Sequence, residues 1–222
     1  DYLDNPNVIQ KGPALRTRSF FKPGDGLAYY GARFIYDWRY ANTSQITLFA
    51  RTTKVELFEP SDPTRTDATP LPAVQYSYAR FRRHIRSDRR KKFSYSIEPE
   101  LGQFYNGRTY GISGGIVYRY QPFGAINLRF NYQSINLPDP YASTALFLIG
   151  PRIDLTFSKS VFLTTFLQYN EQLENFNLNA RLQWRFAPVS DFFLVYTDNY
   201  DTLGWTTRNR SIVAKATYWL NM

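Results

Sequence analysis

From Ala125 to Gln133 apolar and polar residues alternate, with Ile126, Leu128, Phe130 and Tyr132 on one parity and Asn127, Arg129, Asn131 and Gln133 on the other. Side chains of a β-strand point alternately to its two faces, so this pattern predicts a strand with one apolar and one polar surface. It recurs along the chain. In 26–40, Ala28, Tyr30, Ala32, Phe34, Tyr36, Trp38 and Tyr40 oppose Arg33, Asp37 and Arg39. In 174–187, Phe176, Leu178, Ala180, Leu182, Trp184 and Phe186 oppose Asn177, Asn179, Arg181, Gln183 and Arg185. In 91–104, Phe93, Tyr95, Ile97 and Leu101 oppose Ser94, Ser96, Glu98 and Glu100. An aromatic-rich apolar face set against an Arg- and Asn-rich polar face is the pattern of a transmembrane β-barrel, lipid outside and water inside. A cation facing lipid at mid-depth costs on the order of 2–4 kcal/mol, which fixes the parity.

The alternation predicts an all-β fold, an antiparallel outer-membrane barrel of about 12 strands, with ten to fourteen compatible: 7–21, 26–40, 44–58, 73–85, 91–104, 108–121, 124–137, 144–158, 160–171, 174–187, 191–199 and 209–222. Mostly tight turns alternate with a set that includes the longest loops, as short periplasmic turns and longer extracellular loops do in bacterial barrels, and both termini come out periplasmic. Residues 1–222 are expected to form a single barrel domain, with 1–25 weakest as strand. Strand 7–21 alternates poorly and contains Pro13, which would interrupt a central ladder. Strand 44–58 changes parity between Ile46, Leu48, Ala50 and Val55, Leu57, which predicts a bulge near Thr52 and Thr53.

Composition sharpens this picture. The mean hydropathy of −0.44 alone suggests a soluble protein, but a barrel wall shows lipid only every second residue. Aromatics make up 18% of the 222 residues, including 18 Tyr and 18 Phe, enough to furnish two interfacial girdles. No run approaches the roughly 20 apolar residues of a spanning helix. The opening Asp1-Tyr2-Leu3-Asp4-Asn5-Pro6 shows no basic stretch followed by an apolar one, so an exported chain is expected to have lost its leader or to be a downstream piece of a longer one. The absence of Cys removes disulfides and thiolate chemistry. A net charge of +9 suits nucleic acid, yet the basic residues alternate with apolar ones instead of forming one patch, which argues against it.

At the C-terminus, Ile212, Ala214, Ala216, Tyr218, Leu220 and Met222 share one parity, with Lys215 and Thr217 opposite. Such a terminal strand resembles the signal read by outer-membrane assembly machinery, although Met222 replaces the usual terminal aromatic. The runs Leu148-Ile149-Gly150-Pro151-Arg152-Ile153-Asp154-Leu155-Thr156-Phe157, Phe166-Leu167-Gln168-Tyr169-Asn170 and Gln183-Trp184-Arg185-Phe186-Ala187-Pro188-Val189-Ser190-Asp191-Phe192-Phe193-Leu194-Val195-Tyr196, with the ending Thr217-Tyr218-Trp219-Leu220-Asn221, carry a further likeness. Together they resemble the C-terminal barrel of a Bacteroidota outer-membrane family whose members usually carry an N-terminal domain similar to carbohydrate-binding modules of family nine. The resemblance covers best the part from about Lys91 onward. It implies location and architecture, not catalytic residues, and the sugar-binding-like domain is absent from this sequence.

Among candidate functional residues, the lumen-facing cations come first: Arg33, Arg39, Arg51, Arg119, Arg129, Arg152, Arg181, Arg185 and Lys215. Rings of Arg or Lys lining a pore attract anions. Alternatively they pair with lumen-facing Asp37, Glu98, Glu100 and Asp154 and brace the interior, the favoured reading because Arg forks readily onto carboxylates. A second cluster, Arg80, Arg82, Arg83, Arg86, Arg89, Arg90, Lys91 and Lys92, surrounds a periplasmic turn, where it could grip anionic headgroups or a partner, or simply be solvated. His84 is the single histidine and has no orienting acid close in sequence, so a Ser-His-Asp device is not expected, and no His/Cys cluster suggests a metal. Glu98 and Glu100 form the one carboxylate pair suited to acid/base work. The stretch Glu59 to Asp67 suggests a calcium loop, but Pro60 and Pro63 break the ligand spacing.

The expected function is a membrane-embedded component or partner of a larger envelope assembly in the outer membrane of a Gram-negative bacterium, in contact with lipid and lipopolysaccharide, without catalysis or cofactor. The alternatives are a porin for small anionic solutes and an outer-membrane hydrolase.

Overall fold

A computed structural model describes residues 5–220. Twelve strands follow one another: β1 (Val8–Lys22), β2 (Gly26–Tyr40), β3 (Gln45–Glu56), β4 (Gln75–Arg86), β5 (Phe93–Phe104), β6 (Gly107–Tyr120), β7 (Gly124–Asn136), β8 (Thr144–Thr156), β9 (Val161–Asn170), β10 (Asn175–Ala187), β11 (Ser190–Asp201) and β12 (Thr206–Thr217). They form one antiparallel sheet in sequence order from β1 to β12. This is the all-β, twelve-strand architecture that the alternation predicts, and the kind of sheet from which barrels are built. Among the described residues no helix is long and apolar enough to cross a membrane.

Two expectations about strands are corrected. β3 pairs in unbroken register with β2 and with β4 through Thr52 and Thr53, so the expected bulge is absent. The parity change has another cause: Thr52, Lys54 and Glu56 follow Ile46, Leu48 and Ala50 on one face toward the strand end, and Val55 lies on the face of Arg51. The register shifts of β1 occur near its ends, between Val8 and Gln10 and between Phe20 and Phe21. At the other end of the chain, β12 stops at Thr217, so Tyr218 and Leu220 of the expected assembly-signal strand lie beyond it, while Met222 lies outside the described residues. Tyr218 stacks on Phe186, their ring planes 3° apart. Pro13 stands within β1, opposite Tyr36. β1 pairs with β2 alone among the described strands, and a strand with one free edge tolerates a residue that has no N–H to give.

Contacts gather the chain into two compact units. Unit 1 holds the chain up to Arg90 with Tyr95–Gly114 and Tyr132–Leu146; unit 2 holds Lys91–Ser94, Gly115–Asn131 and the chain from Phe147 onward. In unit 1 the register aligns Leu15, Phe34, Ala50, Phe81 and Leu101 in one cross-strand row. Leu15 is 69% exposed and Phe81 57% exposed. In unit 2, Leu155, Leu163, Leu182, Leu194 and Ala214 align in the same way. A sheet that folds in water buries such rows. Here Leu15, Phe34, Phe81 and Leu101 of the first row and Leu155 and Leu194 of the second are exposed, and contiguous exposed apolar patches mark interaction or membrane surfaces.

The connection 57–74 has a small core of its own. Leu71 is fully buried and bridges to Ser61, and the Asp62 carboxylate accepts the backbone N–H groups of Thr64 (2.8 Å) and Thr66 (2.9 Å). Burial pushes that carboxyl up, but the Thr64 hydroxyl and these N–H groups outweigh it and hold the pKa at about 2. Asp62 thus serves its own loop, as an Asx turn.

Candidate functional site

The register of unit 1 does something that no single strand reveals. Arg16 of β1 faces Arg33 of β2, Arg33 faces Arg51 of β3, and Arg51 faces Arg80 of β4. Four guanidinium side chains stand side by side on the polar face, at mid-strand, one residue along from the apolar row of the opposite face. Directly opposed like charges destabilise a sheet. Arg18, Arg82 and His84 extend the same face.

Neutralisation is one-sided. Glu100 of β5 takes Arg82 through Nε (2.6 Å) and Nη2, and Arg80 through Nη1 (3.2 Å). Glu98 takes His84 Nδ1 at 2.8 Å. Both carboxylates are consumed at the β4 end of the row. Among the described residues no carboxylate reaches Arg16, Arg33 or Arg51. Arg51 Nη2 donates instead to the Tyr29 hydroxyl. Gly31 makes room for this: a Cβ there would stand 2.6 Å from Tyr29 Oη, so the missing side chain lets the ring lie across the strand. At the other end, Gly102 brings β5 against β4, since a Cβ would meet the Ala79 carbonyl oxygen at 2.4 Å. The Arg80 guanidinium lies 4.7 Å from the Phe104 ring and 5.2 Å from that of Tyr78, packing that holds it in place. Two concavities open over the row. One, of about 300 Å³, is lined by Arg33, Arg51, Arg80, Arg82, His84 and Glu98 among others; the second, of about 370 Å³, by Arg16, Arg18, Tyr29, Arg33 and Arg51.

The other cations expected to face a lumen lie in different settings. Arg39 pairs with Asp37 (2.8 Å), which also accepts from Thr47 and Gln45. In unit 2, Arg152 pairs with Asp154 (3.0 Å) and Arg185 with Asp191 (3.2 Å). Arg181 lies 6.0 Å from the Phe193 ring, and Lys215 stands opposite Phe193. Arg119 donates to the Lys91 carbonyl. Arg129 is exposed on β7.

The basic cluster assigned to one turn is divided by the fold. Arg82 and Arg86 belong to β4 and share the polar face, where Arg86 donates to Gln45; Arg83 takes the opposite face. Only Arg89, Arg90, Lys91 and Lys92 lie in the connection 87–92. There Asp88 accepts from Arg90 and from the hydroxyl of Thr43 in the neighbouring turn. These bonds, that of the Arg90 side chain first, hold the Asp88 carboxyl at about 2.

Sequence reasoning left His84 without an acid because it looked only along the chain; Glu98 reaches it from the adjacent strand. Directly opposite His84 stands Thr47, whose hydroxyl is donated to Asp37 at 2.6 Å. Among the described residues no group of His, Cys, Asp and Glu is placed to hold a metal ion. Sequence reasoning also missed Arg16 and Arg18, because β1 alternates poorly, and Asp198. That carboxylate is fully buried on the apolar parity of β11, bonded to Arg210 (2.9 Å) and the hydroxyls of Tyr196 (2.5 Å) and Tyr200 (2.7 Å). Compared with protein-family models, curated proteins and solved structures, the chain finds no match.

Proposed function

We propose that the chain is a membrane-embedded β-barrel component of a larger envelope assembly in a Gram-negative outer membrane, bounded by lipid and lipopolysaccharide. The observation that carries this reading is the state of the end strands. From Pro13 to Lys22 every residue of β1 is exposed, and in β12 every residue but Ser211 is exposed, whereas β3 between two neighbours is mostly covered. In hydrocarbon each unpaired backbone group costs several kcal/mol, so an edge strand in a membrane requires a pairing partner. The exposed apolar rows support the membrane part, and the edges support the assembly part. A cysteine placed at Thr17 of β1 and cross-linked in intact membranes tests it. An adduct with a second polypeptide is expected; an adduct confined to the same chain overturns it.

A second reading, a porin for small anionic solutes, is favoured by the arginine row. It predicts anion-selective conductance in planar bilayers that falls when Arg51 is replaced by Gln. Absence of conductance removes it.

A further inference from the structure

We propose that Arg16, Arg33, Arg51 and Arg80 form a binding site for a small oxyanion carrying two or more phosphate groups. Six guanidinium groups line the two concavities (Arg16, Arg18, Arg33, Arg51, Arg80 and Arg82) against two carboxylates, Glu98 and Glu100. Both carboxylates are already engaged by Arg80, Arg82 and His84. Charge of one sign therefore remains concentrated at Arg16, Arg33 and Arg51. Cross-strand repulsion is the cost of that arrangement, and a bound polyanion removes it.

The geometry selects the ligand class. Neighbouring strands lie about 4.8 Å apart, so a row across four strands spans about 14 Å. A single carboxylate reaches two neighbouring guanidiniums at most, as Glu100 does with Arg80 and Arg82, whereas linked phosphates present successive oxygens along the row. The row sits at mid-strand, away from the strand ends where lipid headgroups would lie, which favours a dissolved ligand over a headgroup. Tyr29 fixes Arg51 from one side, and the Phe104 and Tyr78 rings fix Arg80 from the other. Two of the four guanidiniums are therefore held before a ligand arrives, which lowers the ordering cost of binding. This assignment concerns one face of unit 1 and holds whether or not solutes cross the membrane.

Titration calorimetry of the full chain in zwitterionic detergent, with tripolyphosphate as the probe, tests the site. Binding is expected to weaken steeply with salt and to exceed that of inorganic phosphate at least tenfold. Arg33→Gln and Arg51→Gln should each lose at least tenfold, and Arg129→Gln should bind like the parent. Arg33→Gln should also melt higher than the parent without ligand and gain less from adding it. Should either central variant fail to fold, Arg16→Gln on the end strand β1 serves the same purpose. Absence of tripolyphosphate binding by the parent overturns the proposal, as does parent-like binding by the row variants or an equal loss in Arg129→Gln. Conductance is read separately, so a failed porin reading and a failed binding site are distinguishable.

Discussion

The polar faces of the two units use the same side chain in opposite ways. In unit 2, Arg152 and Arg185 each meet an aspartate, with Thr164 and Gln183 completing the carboxylates' hydrogen bonds. In unit 1, arginine meets arginine across four strands, and acid is supplied only at one end. Opposite-charge neighbours stabilise a sheet by a few tenths of a kcal/mol to about 1 kcal/mol each, and like charges directly opposite subtract a similar amount. Unit 2 therefore shows bracing. Unit 1 shows cations held apart from their counter-charges, an arrangement that favours an external anion over internal stability. The sequence expectation of bracing describes unit 2 and the Asp37–Arg39 pair, and does not describe Arg33 or Arg51.

The strongest way to break this contrast is to remove the acid at the end of the row. Glu100→Ala leaves Arg80 and Arg82 without their shared carboxylate and should cost about 2–3 kcal/mol in urea unfolding from lipid vesicles. A loss as small as that of a surface pair would mean the row is already screened. Asp198→Ala comes next. It leaves Arg210 uncompensated on the apolar face and two tyrosine hydroxyls without their acceptor, so the melting temperature in vesicles should fall clearly, and less in detergent. In unit 2, Asp191→Ala should cost about 1 kcal/mol, because it frees Arg185 and Gln183 at a half-exposed site. In unit 1, Arg33→Gln should have the opposite sign and stabilise the unliganded protein by about 0.5 kcal/mol. Equal signs for these two substitutions would erase the difference between the units.

The smallest effect concerns the connection 87–92. Asp88 titrates at about 2 in the folded chain against an ordinary 3.8. A depressed carboxyl contributes its stability above the ordinary value and loses it as pH falls through the folded one. Acid melting between about pH 4 and pH 2 should therefore flatten slightly in Asp88→Asn, by the loss of one linked proton. An unchanged acid limb would show that the Arg90 and Thr43 bonds do not persist in solution.

Much of the fold was legible in the chain, strand by strand. The faces of β2, β5 and β10 follow from parity alone, because a period of two leaves each residue one of two directions. β1 was obscure because its polar and apolar residues do not alternate cleanly, and with it went Arg16 and Arg18. The bulge expected in β3 came from reading Val55 and Leu57 as a shift of face, when the end of a strand tolerates mixed parity. His84 and Glu98 belong to different strands, so chain distance hid their contact.

The sequence by itself determined the faces of β2, β5 and β10, where alternation is clean, since a period of two and the cost of a cation in hydrocarbon leave each side chain one direction. Only the tertiary structure decided that Arg16, Arg33, Arg51 and Arg80 share one row. Which residues stand opposite one another depends on where each hairpin turns and how neighbouring ladders align, and a slide of two residues would preserve every face while dispersing the row.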